Sequence, residues 1–372
     1  MPKGEPDVSL VTGFPAFTAK RMVRKLVESD ARERVTLLHR PQVRLAAEEF
    51  LRELKPAARR RVRLLEGDVC DMDLGLSGPE FAGLAREVTA IHHLASIYHL
   101  GVKREVAERV NVEGTRSVLE LAGECSHLRR LCHYSTAQVS GARSGVILEE
   151  ELEEGQRFRN VYEETKCRAE QLVRAAIAKK LPATVFRPGV IVGDSGTGEI
   201  DKFDGPYYLL VLIVASPLDV SLPLPGRGAA PLHLVPIDFV IDAAYHLSRD
   251  SRAVGQTFHL TDPNPFSARS VYQLCAERAE RKPPRGTIPT GLARAVLRAP
   301  GLKQLARAPL AFLESFNHQT TYNCRNTQAL LEGTRIRCPS FDRYVDVLVR
   351  YVRETHSARK QRREDEIFDP FI

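Results

Sequence analysis

Short apolar runs alternate along this chain with longer stretches in which apolar residues fall three or four positions apart. Unbroken short runs suit buried strands, and the wider spacing suits helices with one buried face. Strands are therefore expected at residues 8–11, 34–40, 62–65, 88–95, 128–135 and 183–192. Helices are expected at 17–26, where Phe17, Met22, Val23 and Leu26 share a face, and at 44–54, 110–122 and 162–177. Strands alternating with helices predict an α/β architecture built on a parallel sheet. From residue 193 the pattern loosens: 193–205 is polar and glycine-rich, 206–218 is apolar, and 221–236 is dense in proline and glycine. A strand-and-helix pattern returns at 234–247 and 256–260, and helical spacing dominates from 270 to the end.

Composition bounds the function classes. With 372 residues, 43% hydrophobic and 27% charged, the chain is long enough for a large core. No stretch approaches the roughly 18 apolar residues of a membrane-spanning helix, since segment 207–218 is short and is broken by Pro217. The first seven residues carry no apolar leader, so a cytoplasmic location is expected. Seven scattered cysteines with no Cys-x-x-Cys pair favour reduced, structural thiols. The formal net charge of +7 suits an acidic partner, a phosphorylated cofactor or an anionic carrier. Its densest cluster, Arg359-Lys360-Gln361-Arg362-Arg363, is followed at once by Glu364, Asp365 and Glu366. That mixture reads as a solvated helix end rather than a nucleic-acid surface, and leaves a peripheral membrane contact open.

The turn after the first strand is the first candidate site. A strand, a tight turn and a helix open a dinucleotide-binding fold, where a pyrophosphate sits on exposed amides at the helix start. Gly13, Phe14, Ala16 and Phe17 would line that turn. The turn resembles the short-chain dehydrogenase fingerprint, whose glycines would occupy the three positions held here by Gly13, Ala16 and Ala19. A small residue suffices at the third, but the Ala16 methyl narrows the approach of backbone to phosphate and Pro15 removes an amide donor. At the end of the second strand, NAD-selective sites carry an acid, whereas a 2′-phosphate needs a cation. His39 and Arg40 stand there, so NADP(H) is the expected cofactor. Asp68 is placed to accept a hydrogen bond from an adenine amino group. His92 and His93 should point to opposite faces of a strand, and no metal site is expected. The central candidate is Tyr162 with Lys166, about one helical turn apart. An ammonium close to a phenol favours the phenolate, and would draw the tyrosine from its usual pKa of about 10 toward the range of general acid–base chemistry. The fold expected is a Rossmann-type doubly wound parallel sheet with a smaller, mostly helical C-terminal substrate lobe. Residues 1–192, joined by returning elements at 234–262, would form the dinucleotide-binding domain; 193–233 and 263–372 would form the lobe.

Seven short motifs in order resemble the extended short-chain dehydrogenase/reductases. They are Thr12-Gly13, Gly67-Asp68-Val69, His93-Leu94-Ala95, Asn111-Val112-Glu113-Gly114-Thr115, Ser135-Thr136-Ala137, Tyr162 with Lys166, and Arg187-Pro188-Gly189. Asp73-Leu74-Gly75-Leu76-Ser77, Tyr162-Glu163-Glu164-Thr165-Lys166 and Gly193-Asp194-Ser195-Gly196-Thr197-Gly198-Glu199 resemble the thioester reductase and fatty acyl-CoA reductase branch, and the likeness extends into Val235-Pro236-Ile237-Asp238-Phe239. The resemblance implies that Tyr162 protonates the substrate oxygen, Thr136 hydrogen-bonds that oxygen, and Lys166 lowers the tyrosine pKa and holds the nicotinamide ribose. It also implies cofactor contacts at Asp68, Val69, Leu94, Ala95 and Asn111, with Pro188 and Val190 approaching the carboxamide through backbone. For Asn111 a structural role at a helix start is an equal alternative.

Three functions follow as expectations. The first is an NADPH-dependent reductase of a carbonyl or acyl thioester on an apolar, fatty-acyl-like substrate, with segment 207–218 lining an acyl channel or serving as a core helix. Without an adenylation or carrier domain beside it, such a reductase would meet a small-molecule or carrier-bound acyl substrate in trans, as a monomer or homodimer. The second is a sterol-like or sugar-nucleotide dehydrogenase or epimerase of the same fold. The third is a cofactor-binding pseudoenzyme, motivated by Pro15 and Ala16.

Overall fold

Five consecutive buried residues make the first strand, β1 (Val8–Thr12), and helix α1 (Phe17–Ser29) follows with Met22, Val23 and Leu26 on its buried face. The computed structural model describes residues 7–98, 102–203, 205–215, 224–225, 228–283, 285–288 and 319–368. The chain continues through β2 (Arg34–His39), α2 (Arg44–Glu53), α3 (Pro56–Arg59), β3 (Val62–Glu66), α4 (Gly78–Glu87) and β4 (Ala90–His93). Next come α5 (Arg104–Ala107), α6 (Gly114–Glu124), β5 (Arg130–Tyr134), β6 (Gly145–Ile147), α7 (Val161–Ala178), β7 (Ala183–Pro188) and β8 (Val190–Val192). The C-terminal part holds α8 (Pro206–Ala215), β9 (Leu224–Pro225), β10 (Leu234–Pro236), α9 (Ile237–Arg249), β11 (Thr257–Leu260), α10 (Ala268–Arg278), β12 (Thr287–Ile288), β13 (Thr320–Tyr322), α11 (Arg325–Leu331) and α12 (Val345–Phe368).

Seven strands form one parallel sheet in the order β11-β7-β5-β4-β1-β2-β3. The chain winds outward from β1 to β3, then returns to build outward in the other direction from β4. The reversal lies between β1 and β4, the position at which ligands bind in open α/β sheets. Alternate strand residues feed two cores. Val11, Leu37, Tyr134, Phe186 and Phe258 pack under α1, α2 and α9, while Leu10, Leu38, Ile91, Leu131 and Val185 pack under α4, α6 and α7. A separate cluster joins α8, α10 and α12 through Tyr207, Tyr272 and Leu348. The loop before α8 is tied to the sheet domain: Arg21 of α1 pairs with Asp194 and Glu199, and the Ser195 amide and hydroxyl both donate to Asp238 of α9, at 2.9 and 2.6 Å.

The structure departs from the sequence expectations at two points, and bears on two further segments. The run 183–192 is two strands, because Pro188 offers no amide and a Cβ at Gly189 would fall 2.4 Å from the His233 carbonyl oxygen. β7 stays in the main sheet, whereas β8 pairs with β10. The helix expected at 110–122 begins earlier: α5 runs into a π-helical segment, Glu108–Glu113, and then α6, so Asn111 sits inside a helix rather than near its start. In segment 207–218, Tyr207, Leu210 and Ile213 of α8 are buried in the core with α10 and α12, while 216–218 lie outside the described residues. Among the helices expected beyond 270, stretch 289–318 lies outside them too, as do the side chains of the basic run at 359–363.

Candidate active site

Parallel strands place all their carboxyl ends on one edge, and most of the expected site residues meet there. Gly13 follows β1, His39 ends β2, Leu94 and Ala95 follow β4, Thr136 follows β5, and Pro188 ends β7. Gly13 has φ +94, and a Cβ there would fall 2.6 Å from the Leu94 carbonyl carbon. The turn is thus pressed onto the end of β4, a fit that only glycine allows. Ala16 is the N-cap of α1 and no side chain caps this helix, which leaves first-turn amides free for an anion. Phe14 turns inward onto Phe50, with ring centroids 5.7 Å apart. Phe17 remains half-buried at the helix start, and Ala19 is fully buried, as close helix packing on the sheet requires.

Thr136, Tyr162 and Lys166 come together where β5 meets α7. The Thr136 hydroxyl accepts the Gln138 amide at 3.3 Å and lies close enough to the Tyr162 phenol to act on its acidity. Tyr162 stands in the first turn of α7, which is fixed by reciprocal capping. Asn160 Oδ1 accepts the Glu163 amide at 2.9 Å, while the Glu163 carboxylate accepts from Arg159 and from Asn160 Nδ2. Lys166 is buried, and its ammonium donates to the Tyr134 carbonyl at 2.7 Å. Burial pushes the Tyr162 phenol up to about 12, against the pull of Thr136. Burial likewise brings Lys166 down to about 8, opposed by Glu170. The expectation that Lys166 draws the phenol toward neutrality is not met in this state: desolvation outweighs the pull of Thr136, the Lys166 ammonium is turned to the Tyr134 carbonyl, and the phenol keeps its proton at neutral pH.

The other expected residues are placed as follows. His39 is buried with Nδ1 against the Arg40 carbonyl at 3.1 Å, and Arg40 is exposed. Asp68 Oδ1 accepts the Cys70 amide at 2.9 Å, and Val69 packs against Gly114. Asn111 bridges two segments: its Oδ1 accepts the Ile97 amide at 2.8 Å, and its Nδ2 donates to the Ile97 carbonyl at 3.2 Å and to Thr165 Oγ1 at 2.9 Å. In this state its side chain is spent on tying the loop after β4 to α7. The Gly189 amide donates to Leu260 and the Val190 amide to His233, which uses the local amides on protein carbonyls. His92 meets the Tyr134 hydroxyl, and His93 lies between the hydroxyls of Thr12 and Thr115, all at 3.0 to 3.2 Å.

Sequence reasoning missed the layer beneath these residues. Glu170 accepts from Ser135, Arg187 and Arg174 in a buried cluster. The available signal was the spacing Tyr162, Lys166, Glu170, which continues one helix face for another turn. A carboxylate on a buried face requires a partner.

The residues of this edge fit a nicotinamide dinucleotide: a glycine turn at the switch point, uncapped helix amides, and polar groups beyond β2 and β5. A family model described as Male sterility protein matches residues 11–244, well over half of the chain. Isonitrile lipopeptide synthase of Streptomyces coeruleorubidus is 27% identical over 369 residues, covering 94% of this chain and 24% of that protein. Fatty acyl-CoA reductase wat of Drosophila melanogaster is 29% identical over 221 residues, covering 52% of this chain and 42% of that protein. The chain thus spans less than half the length of either relative. A crystal structure of the terminal R domain from the myxalamid PKS-NRPS biosynthetic pathway superposes with a TM-score of 0.82 at 27% identity, covering 95% of this chain and 92% of that one. The chain belongs to the Male sterility protein family, in the thioester-reductase-like branch of the extended short-chain dehydrogenase/reductases.

Proposed function

We propose that this protein is an NADPH-dependent reductase of a carbonyl or acyl-thioester group on an apolar substrate, with Tyr162 as proton donor. The observation that carries the reading is the meeting of Thr136, at the end of β5, with Tyr162 and buried Lys166 on one face of α7, at the sheet edge that also holds the Gly13 turn. Relatives that include a fatty acyl-CoA reductase support the acyl substrate, and a lipopeptide synthase relative supports delivery on a carrier. Exposed Arg40 supports the 2′-phosphorylated cofactor.

The Gly13 turn and the start of α1 would hold the pyrophosphate, with Asp68 and Val69 near the adenine and Leu94, Ala95, Pro188 and Val190 along the rest of the dinucleotide. When bound, the reduced nicotinamide supplies hydride. Thr136 holds the substrate oxygen by its hydroxyl, and Tyr162 delivers a proton to that oxygen as negative charge develops there. A phenol that keeps its proton at neutral pH is the correct resting state for a donor. Lys166 stabilises the phenolate left behind and offers its remaining ammonium hydrogens to the ribose.

The test is NADPH oxidation against acyl-CoA thioesters, carrier-bound thioesters, fatty aldehydes, and sterol and sugar-nucleotide alcohols. Turnover is expected with a thioester or an aldehyde. Tyr162→Phe is expected to lower kcat by roughly 10²–10⁴-fold with cofactor affinity retained. No consumption with any acyl thioester or aldehyde, or full activity in Tyr162→Phe, overturns the reading.

A further inference from the structure

One helical turn beyond Lys166, the Glu170 carboxylate is fully buried. Its Oε2 accepts from Ser135 Oγ at 2.7 Å and from Arg187 Nε at 3.0 Å. Its Oε1 accepts from Arg187 Nη2 at 2.7 Å and from Arg174 Nε at 3.1 Å. Arg187 is fully buried as well, and reaches the Glu151 carbonyl at 2.7 Å and His259 Nε2 at 3.3 Å. Stability alone does not call for such a cluster, because well-packed apolar groups often replace a buried ion pair without loss.

What the cluster touches suggests its use. Ser135 precedes Thr136, Arg187 precedes Pro188, and Glu170 follows Lys166 on the same face of α7. One carboxylate therefore joins the three segments that carry the proposed site. The charge around Lys166 points the same way. His93 on β4 and His133 on β5 face it as neutral rings, held uncharged by burial, and Tyr162 on α7 keeps its proton. Among the described residues, Glu170 is the anion that acts on this ammonium. A buried ammonium without an anion gives up its proton.

We propose that Glu170 is a positioning residue of this site, which sets the surroundings of the Lys166 ammonium from one turn below and, through Ser135 and Arg187, holds the strand ends carrying Thr136 and Pro188. It acts through its neighbours and does not touch the reacting atoms. Only its catalytic consequence rests on the reductase reading.

The test reads Lys166 directly. With isotopically labelled lysine, the Lys166 NMR signal is assigned by its loss in Lys166→Arg and followed against pH in the full chain. The wild-type midpoint is expected near about 8. Glu170→Gln is expected to lower it by roughly one unit or more, and Glu170→Asp, which keeps the charge, to restore most of the loss. Where Glu170→Gln does not fold alone, the double variant Glu170→Gln/Arg187→Met is read against Arg187→Met, so that the loss of the Arg187 charge is common to both. A midpoint unchanged by loss of the Glu170 charge, in the single variant or in that comparison, overturns the proposal. With an active substrate, the alkaline limb of kcat should move down by the same amount as the midpoint. A lowered midpoint in a protein that turns over no acyl substrate supports the role of Glu170 and removes the reductase reading alone.

Discussion

Arg40 stands exposed at the end of β2 and forms no ion pair among the described residues, while its carbonyl is held by buried His39. A cation so placed can meet a 2′-phosphate without first giving up a partner. Arg40→Ala is expected to weaken NADPH binding roughly tenfold, the lower end of a charged hydrogen bond's worth, and to leave NADH binding unchanged. Paired fluorescence titrations check this, and an equal loss for both cofactors would remove Arg40 from selectivity. The charge at this position was legible in the sequence. The state of Tyr162 was not. Spacing shows that Tyr162 and Lys166 share a helical face, but the phenol's acidity depends on how much water the folded chain leaves around it, and here burial is the largest influence on it.

At the scale of elements, the phosphate turn is fixed by close approach. Gly13 combines φ +94 with backbone atoms of Leu94 and Ala95 at 2.6 and 2.7 Å from the position of an added Cβ. Neither atom can rotate away, so Gly13→Ala should cost about 1–3 kcal/mol and weaken dinucleotide binding, because the turn must lift from the end of β4. Denaturant midpoints and cofactor titration on the same sample check this; an unchanged midpoint with unchanged affinity would show that the turn is not pinched there. The sequence indicated this unit through a local pattern of strand, glycine and helix. It did not reveal that Ala16 serves as the N-cap of α1, or that the long run after α7 breaks at Gly189, because a carbonyl from residue 233 decides that break.

Across the whole molecule, buried imidazoles couple stability to pH. His92 and His93 on β4, His133 on β5 and His259 on β11 lie inside the main sheet. Burial lowers His92, His93 and His259 from 6.5 to about 3, and lowers His133 well below its ordinary value. The unfolded chain then binds more protons than the folded one between these limits. Stability is therefore complete above about pH 6.5 and is lost as pH falls toward 3, by up to about 1.4 kcal/mol per pH unit for each ring. Denaturant midpoints should drop steadily from about pH 7 to about pH 5; a flat profile would mean that these rings reach water or partners when protonated. The apolar periodicities, read locally, were enough for the alternation of strands and helices and for the parallel sheet. Strand order, the switch point between β1 and β4, and the meeting of Ser135, Glu170 and Arg187 were settled by folding, because they join residues far apart along the chain. Periodicity records which face of an element is buried; the partner on the other side of that face depends on the path of the whole chain.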